Sequence, residues 1–181
     1  YYLRKNLLNV VEGTLFSKHR DLVLDFGPGF GVEIPALSFM FKNVVALDID
    51  PEQIKASRQI IEYGSIKNVE LVTKKEEDEF EWIQKEFFDC IIANNVLEHA
   101  KNARRIIVEF SRILKVGGVL VLSLPSENNF YKLFESEDDG HILKSEKEID
   151  DLIEFAEQNL QKIYNIDLFP FYKGRVLLKK S

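Results

Sequence analysis

Cysteine, methionine and tryptophan occur once each in 181 residues. A single cysteine forms neither an internal disulfide nor a thiolate cluster, so a disulfide scaffold and a zinc module are both excluded. Cys90 sits in the apolar run FFDCIIA, where a small buried residue is the simplest reading. The three histidines, His19, His99 and His141, have no metal-ligand spacing, and no Gly-x-Ser-x-Gly elbow for a serine nucleophile occurs, so no metal is expected. Basic residues are in deficit, 24 against 30 acids, for a formal charge of −6. Nucleic-acid binding draws its affinity from phosphate neutralisation by Lys and Arg, so a polyanion is not the expected partner. No apolar run approaches the roughly 18 to 20 residues of a membrane span. The first residue is Tyr1 and not Met, so a native start upstream is expected, and no basic-then-apolar leader follows it. A reducing, cytoplasmic setting is the expectation.

What is present is an alternation. Leu3, Leu7, Leu8, Val11 and Leu15 fall at helical spacing, which predicts a leading amphipathic helix within residues 1–19. Strand-like LVLDF, NVVALDI, NVELVT, FDCIIAN and GVLVLSL then alternate with helical segments after Gly31, from Pro51 to about Tyr63, and over roughly residues 102–114. Near-continuous apolar runs imply strands buried on both faces, as in a parallel sheet covered by helices. The expected fold is therefore α/β, a doubly wound three-layer sandwich. In the last third, a helical pattern at Ile149, Leu152, Ile153 and Phe155 precedes KIYNIDLF and GRVLLKK, joined across only PFYK. So short a link suits an antiparallel hairpin and forbids a parallel crossover. With 45% hydrophobic residues and no repeat or linker, one domain over residues 1–181 is expected. The charge run KKEEDEFE reads as a solvated loop or helix face.

Three of the nine glycines, Gly27, Gly29 and Gly31, are packed into VLDFGPGFG, after a predicted strand and before a predicted helix. There a glycine loop either brings backbone amides close to a ligand or simply makes a tight turn. Asp48 favours the ligand. It ends the next strand, about 20 residues further on, where an acid accepts hydrogen bonds from ribose hydroxyls. A dinucleotide fingerprint requires a glycine where Val32 stands, so the loop reads G-x-G-x-G and not G-x-G-x-x-G.

That spacing, with Asp25 ahead of it, resembles motif I of the class I S-adenosylmethionine-dependent methyltransferases. VVALDIDPEQIKASR is similar to their second motif. FFDCIIANNVLEHAKNARRIIVEFSRILKVGGVLVLSLPSENN follows their fourth strand, next helix, LK-x-GG turn and fifth strand, most like the quinone-biosynthesis-like, type 11 branch. The likeness is good over about residues 20–130, the expected cofactor-binding core, and looser over 131–181, the expected substrate side. It implies a mostly parallel seven-stranded sheet with an antiparallel C-terminal hairpin, and S-adenosylmethionine as cofactor. It also implies contacts at Asp25 and along Gly27, Pro28, Gly29, Phe30 and Gly31, with Asp48 on the ribose, Ile49 against the adenine and Asn94 beside the methionine part. Where the family usually has an acid for the adenine amino group, this chain has Lys75, and lysine accepts no hydrogen bond. Glu76, Asp78 or a backbone carbonyl takes that role, or cofactor binding is weakened.

The acceptor is expected to be a small, apolar or amphipathic molecule. His99 and His141 fall where this fold opens its substrate mouth, and imidazole, with an ordinary pKa near 6.5, suits a base at neutral pH. Each serves as that base or makes structural hydrogen bonds. Glu98 orients His99, meets substrate or caps the next helix. Phe130 and Tyr131, with Phe134, form an acceptor lid or pack beneath a loop, and Phe169 and Phe171 would add to an apolar pocket. A protein or RNA acceptor, or a cofactor-binding protein without turnover, are the rival readings.

Overall fold

The computed structural model describes residues 20–74, 80–125, 145–167 and 172–181. The leading helix, Lys75, Glu76, Asp78, Phe130, Tyr131, Phe134, His141, Phe169 and Phe171 lie outside the described residues. The strands are β1 (Leu22–Phe26), β2 (Asn43–Asp48), β3 (Val69–Thr73), β4 (Phe88–Asn94), β5 (Leu114–Pro125), β6 (Gln161–Asn165) and β7 (Tyr172–Leu178). The helices are α1 (Ile34–Met40), α2 (Pro51–Tyr63), α3 (Ala103–Ile113) and α4 (Glu146–Asn159). One seven-stranded sheet runs β3-β2-β1-β4-β5-β7-β6. Pairing is parallel from β3 through β5, and antiparallel where β7 meets β5 and β6. The α/β sandwich and the antiparallel C-terminal pair are as the sequence implied.

Side-chain alternation builds the two helix-covered faces. Leu24, Phe26, Ile91, Leu120 and Leu122 point to one side and pack with Ile106, Ile107 and Phe110 of α3 and Ile149 and Leu152 of α4. Val23, Cys90, Ile92, Val119 and Val121 point to the other, with Leu37 of α1. Helix starts follow local chemistry: the Asp50 carboxylate accepts from Glu52 N at 2.8 Å, and Ser145 with Glu148 forms a capping box for α4. At the amino ends of the strands, the buried Asp89 carboxylate accepts from Asp21 N, Leu22 N and Lys115 Nζ, which ties β1, β4 and β5 together.

One boundary differs from expectation. The LK-x-GG segment, expected as a turn, belongs to β5, which starts at Leu114. Gly117 N donates to Lys179 O at 2.9 Å and Lys179 N to Gly118 O at 3.0 Å, so the chain past β7 pairs with the glycines. The register shift between Phe88 and Cys90 of β4 takes up the extra residues.

Chain order places the site. The chain runs from β1 outward to β2 and β3 on one side and then crosses back to β4 on the other side of β1, and ligands of such sheets bind at that switch, outside the carboxyl ends. Phe26, the last residue of β1, couples core to cleft: its ring lies edge-on to Phe110 at 5.1 Å and stacks on Phe80 at 5.8 Å. Phe110 is fully buried, so Phe110→Ala is expected to cost about 3–5 kcal/mol of unfolding free energy. Urea denaturation checks this, with an unchanged midpoint as the contrary result.

Candidate active site

The glycine loop owes its shape to what lies against it. Gly27 and Gly31 hold φ of +73° and +74°, a region that favours glycine. Neither has room for a side chain. A Cβ on Gly27 would stand 2.4 Å from Val96 Cγ2, and one on Gly31 would stand 2.7 Å from Ser57 Oγ and 2.9 Å from Ser57 Cα. The loop is held between the turn after β4 and the middle of α2. Ser57 Oγ donates to Gly29 O at 3.0 Å, and Gly31 N donates to Pro28 O at 2.9 Å, closing a turn around the buried proline. Pro28 has no N–H to satisfy, which suits a buried loop position.

Across from the loop stands Asp48, at the carboxyl end of β2. Its Oδ1 accepts from Asp50 N at 3.0 Å, and its Oδ2 takes a long 3.4 Å bond from Gly29 N. Burial raises its pKa above the ordinary carboxylate value, against the opposing backbone bonds, and the charge of Asp50 adds to the rise.

Between them opens a cleft of about 500 Å³, a volume typical of small-molecule sites. Of the residues singled out from sequence, Gly27, Gly29, Asp48, Ile49 and His99 line it. His99 is exposed, in the one-turn 3₁₀ helix Leu97–His99. Asp25, Pro28, Phe30, Gly31, Asn94 and Glu98 are not among the lining residues. Phe30 points outward at 68% exposure, whereas Asp25 is buried on the sheet face it shares with Val23. Asn94 is engaged below the cleft: its Nδ2 donates to Glu33 Oε1 at 2.8 Å, and its Oδ1 accepts from the Ser123 hydroxyl. Asn95, its neighbour, lines the cleft instead, at φ +50°. Glu98 is not the cap of α3. That role belongs to Asn102, whose side chain accepts from Arg105 N at 3.1 Å, while Glu98 is buried one turn earlier.

Sequence reasoning missed Gln53, Asn95, Val96, Ala100 and Ile106, which also line the cleft. The helical phase of α2 places Gln53 one turn ahead of Ser57, the residue beneath Gly31, so its position was open to inference once that packing is known. Among the described residues, no group of three His, Cys, Asp or Glu is placed to hold a metal, and no helix is long and apolar enough to cross a membrane.

A glycine loop after β1 facing an acid at the end of β2, beside the β1–β4 switch, on a sheet whose β7 is inserted antiparallel between β5 and β6, defines the class: a methyltransferase fold with S-adenosylmethionine as its cofactor. The family described as methyltransferase domain, type 11, matches residues 24–122, and the chain belongs to it. It is 28% identical over 143 residues to an arsenite methyltransferase of Rattus norvegicus, covering 67% of this chain and 39% of that protein. It is 32% identical over 121 residues to a ubiquinone biosynthesis O-methyltransferase of Xanthomonas oryzae pv. oryzae, covering 64% and 49%. The chain thus matches half or less of the length of these two relatives. The N-methyltransferase NodS of Bradyrhizobium japonicum, solved with S-adenosyl-L-homocysteine, superposes with a TM-score of 0.76 at 16% identity, over 98% of this chain and 87% of that one.

The residues present suit this cofactor: a backbone pared of side chains, a carboxylate acceptor and apolar walls at Ile49, Val96 and Ile106. Two outcomes are expected. Asp48→Ala weakens S-adenosylmethionine binding at least tenfold, on the order of 1.4 kcal/mol, by calorimetry. For the wild type, affinity falls on acidification through the raised Asp48 pKa, because protonation removes the charged acceptor; that fall begins at a higher pH than for an ordinary aspartate. A flat profile through the acid range would remove Asp48 from the contact.

Proposed function

We propose that the chain transfers a methyl group from S-adenosylmethionine to a small, apolar or amphipathic acceptor. The observation that carries this is the convergence of Gly27, Gly29, Asp48 and His99 on one cleft. When bound, the cofactor supplies a methyl carbon on a sulfonium, which leaves as a neutral thioether and so asks little covalent help of the protein.

The chain's own residues bind and orient. Asp48 accepts from the ribose hydroxyls, and Ile49 and Ile106 flank the adenine with apolar surface that keeps water out. Gly27, without a side chain, lets the loop stand against Val96 and leaves the space above it to the ligand. Alignment of nucleophile and methyl at about 3 to 3.5 Å supplies several kcal/mol of the barrier reduction without further chemistry. His99, at the rim, receives a proton where the acceptor is a phenol, an alcohol or an enolisable carbon. An apolar lining and a net charge of −6 favour a small acceptor over an RNA. The relatives named as an arsenite methyltransferase and a ubiquinone biosynthesis O-methyltransferase support a small-molecule acceptor.

Thermal shift tests the cofactor. S-adenosylmethionine or its demethylated product at 100 times the dissociation constant stabilises by about 2.7 kcal/mol, and NAD does not. A shift with NAD alone overturns the reading. His99→Gln is expected to lower turnover of a protic acceptor with cofactor affinity unchanged; equal turnover removes His99 from proton transfer.

A further inference from the structure

We infer that Asn95 determines specificity for the methyl acceptor, its side-chain amide donating to a neutral carbonyl oxygen that the acceptor carries besides its nucleophile; this rests on the proposed function. Asn95 is the first residue past β4 and lines the cleft. Among the described residues Ser65, Glu86 and Asn95 are the non-glycine residues with positive φ, and of these only Asn95, at +50°, stands at the cleft. A backbone held in that region persists where its surroundings fix it, and such positions gather at functional sites.

The surroundings fix the side chain as well. Asn95 N donates to Ser123 O at 3.0 Å, and the Ser123 hydroxyl, shared with Asn94 Oδ1, reaches Asn95 Oδ1 at 3.2 Å. Ser123 is itself buried in β5, so the amide of Asn95 is anchored by its oxygen. An amide held in that way turns its two N–H donors elsewhere. The amide nitrogen donates to nothing among the described residues, yet it is not shut away from solvent, so a ligand in the cleft can reach it.

The two walls of the cleft divide the work. Gly27, Gly29, Asp48 and Ile49 stand on the side of β1 and β2, where the proposed cofactor contacts fall. Asn95 and His99 are the polar side chains that the turn after β4 adds to the lining, a donor and the proposed base. Charge selects the group that meets the donor. Asp48 and Asp50 line the same cleft, so a carboxylate or phosphate at Asn95 would face two like charges. A carbonyl offers lone pairs without a charge, and a site that hydrogen-bonds one group discriminates against the analogue that lacks it.

Calorimetry on the S-adenosylhomocysteine complex tests this with the ortho, meta and para isomers of hydroxyacetophenone and the matching ethylphenols, in which a methylene replaces the carbonyl. Wild type is expected to bind at least one ketone about fivefold to tenfold more tightly than its ethyl counterpart. Asn95→Gly keeps the left-handed backbone without strain, and Asn95→Asp keeps an oxygen for Ser123 but has no N–H. Either variant is expected to lose the preference for the ketone and to bind S-adenosylhomocysteine as wild type does. Absence of the preference from wild type overturns the inference, as does its survival in either variant. Weakened binding of S-adenosylhomocysteine by Asn95→Gly also overturns it, by giving the donor to the cofactor. Failure of wild type to bind S-adenosylhomocysteine at all overturns the underlying cofactor reading, and the inference with it.

Discussion

The constraint on which the site depends is the lack of space on both sides of the loop between β1 and α1. Val96 closes on Gly27 and Ser57 on Gly31, each nearer than any added Cβ would tolerate. These contacts tie together three segments far apart in sequence: the end of β1, the turn after β4 and the middle of α2. Because α2 begins just beyond Asp48, seating Ser57 under Gly31 also fixes how far the acid stands from the loop. The site is thus a consequence of packing, with the loop's backbone acting as the spacer. Its positive φ values are retained because the neighbouring elements leave no alternative.

One sheet face shows the same economy in its side chains. Val23, Ile92 and Val121 are apolar and buried, and the next positions outward on those strands are Asp25, Asn94 and Ser123. Asn94 and Ser123 are direct partners across β4 and β5, and Asn94 reaches on to Glu33 ahead of α1. The strands change from core to polar support within one side-chain repeat. Asn95, which follows, turns to a left-handed backbone, a conformation asparagine tolerates better than most residues, and donates its N–H to Ser123 O at 3.0 Å. Polar groups beneath the cleft hold the turn that carries Val96, so the support for the loop and the support for the cleft are the same bonds.

The strands were legible because their apolar runs were nearly continuous, and the glycine loop because its composition is unusual. The start of β5 was not, since Gly117 and Gly118 read as a turn until the partner beyond β7 is seen. The choice between Asn94 and Asn95 was beyond sequence: one residue at a strand end reverses the face, and only the backbone angle at Asn95 decides it. Glu98 resembled a cap because it stands near a helix, but Asn102 lies at the right offset and Glu98 is drawn into the core. Gln53 was passed over for a different reason. An exposed-looking polar residue in a first helical turn carries no local signal, and its significance comes from the cleft it faces.

Asp48 and Gln53 together give the ligand-free site its energetic character. An acid whose folded pKa is raised contributes less stability as pH climbs from the unfolded value of about 3.9 through the folded one, so at neutral pH the charged carboxylate is a net cost to the empty fold. Gln53 adds an acceptor with no donor. Neither is relieved by rearranging the protein, because the packing around Gly27 and Gly31 holds both elements in place. The packing that excludes side chains from the loop therefore also holds Asp48 where burial makes its charge costly and Gln53 where its amide oxygen has no donor.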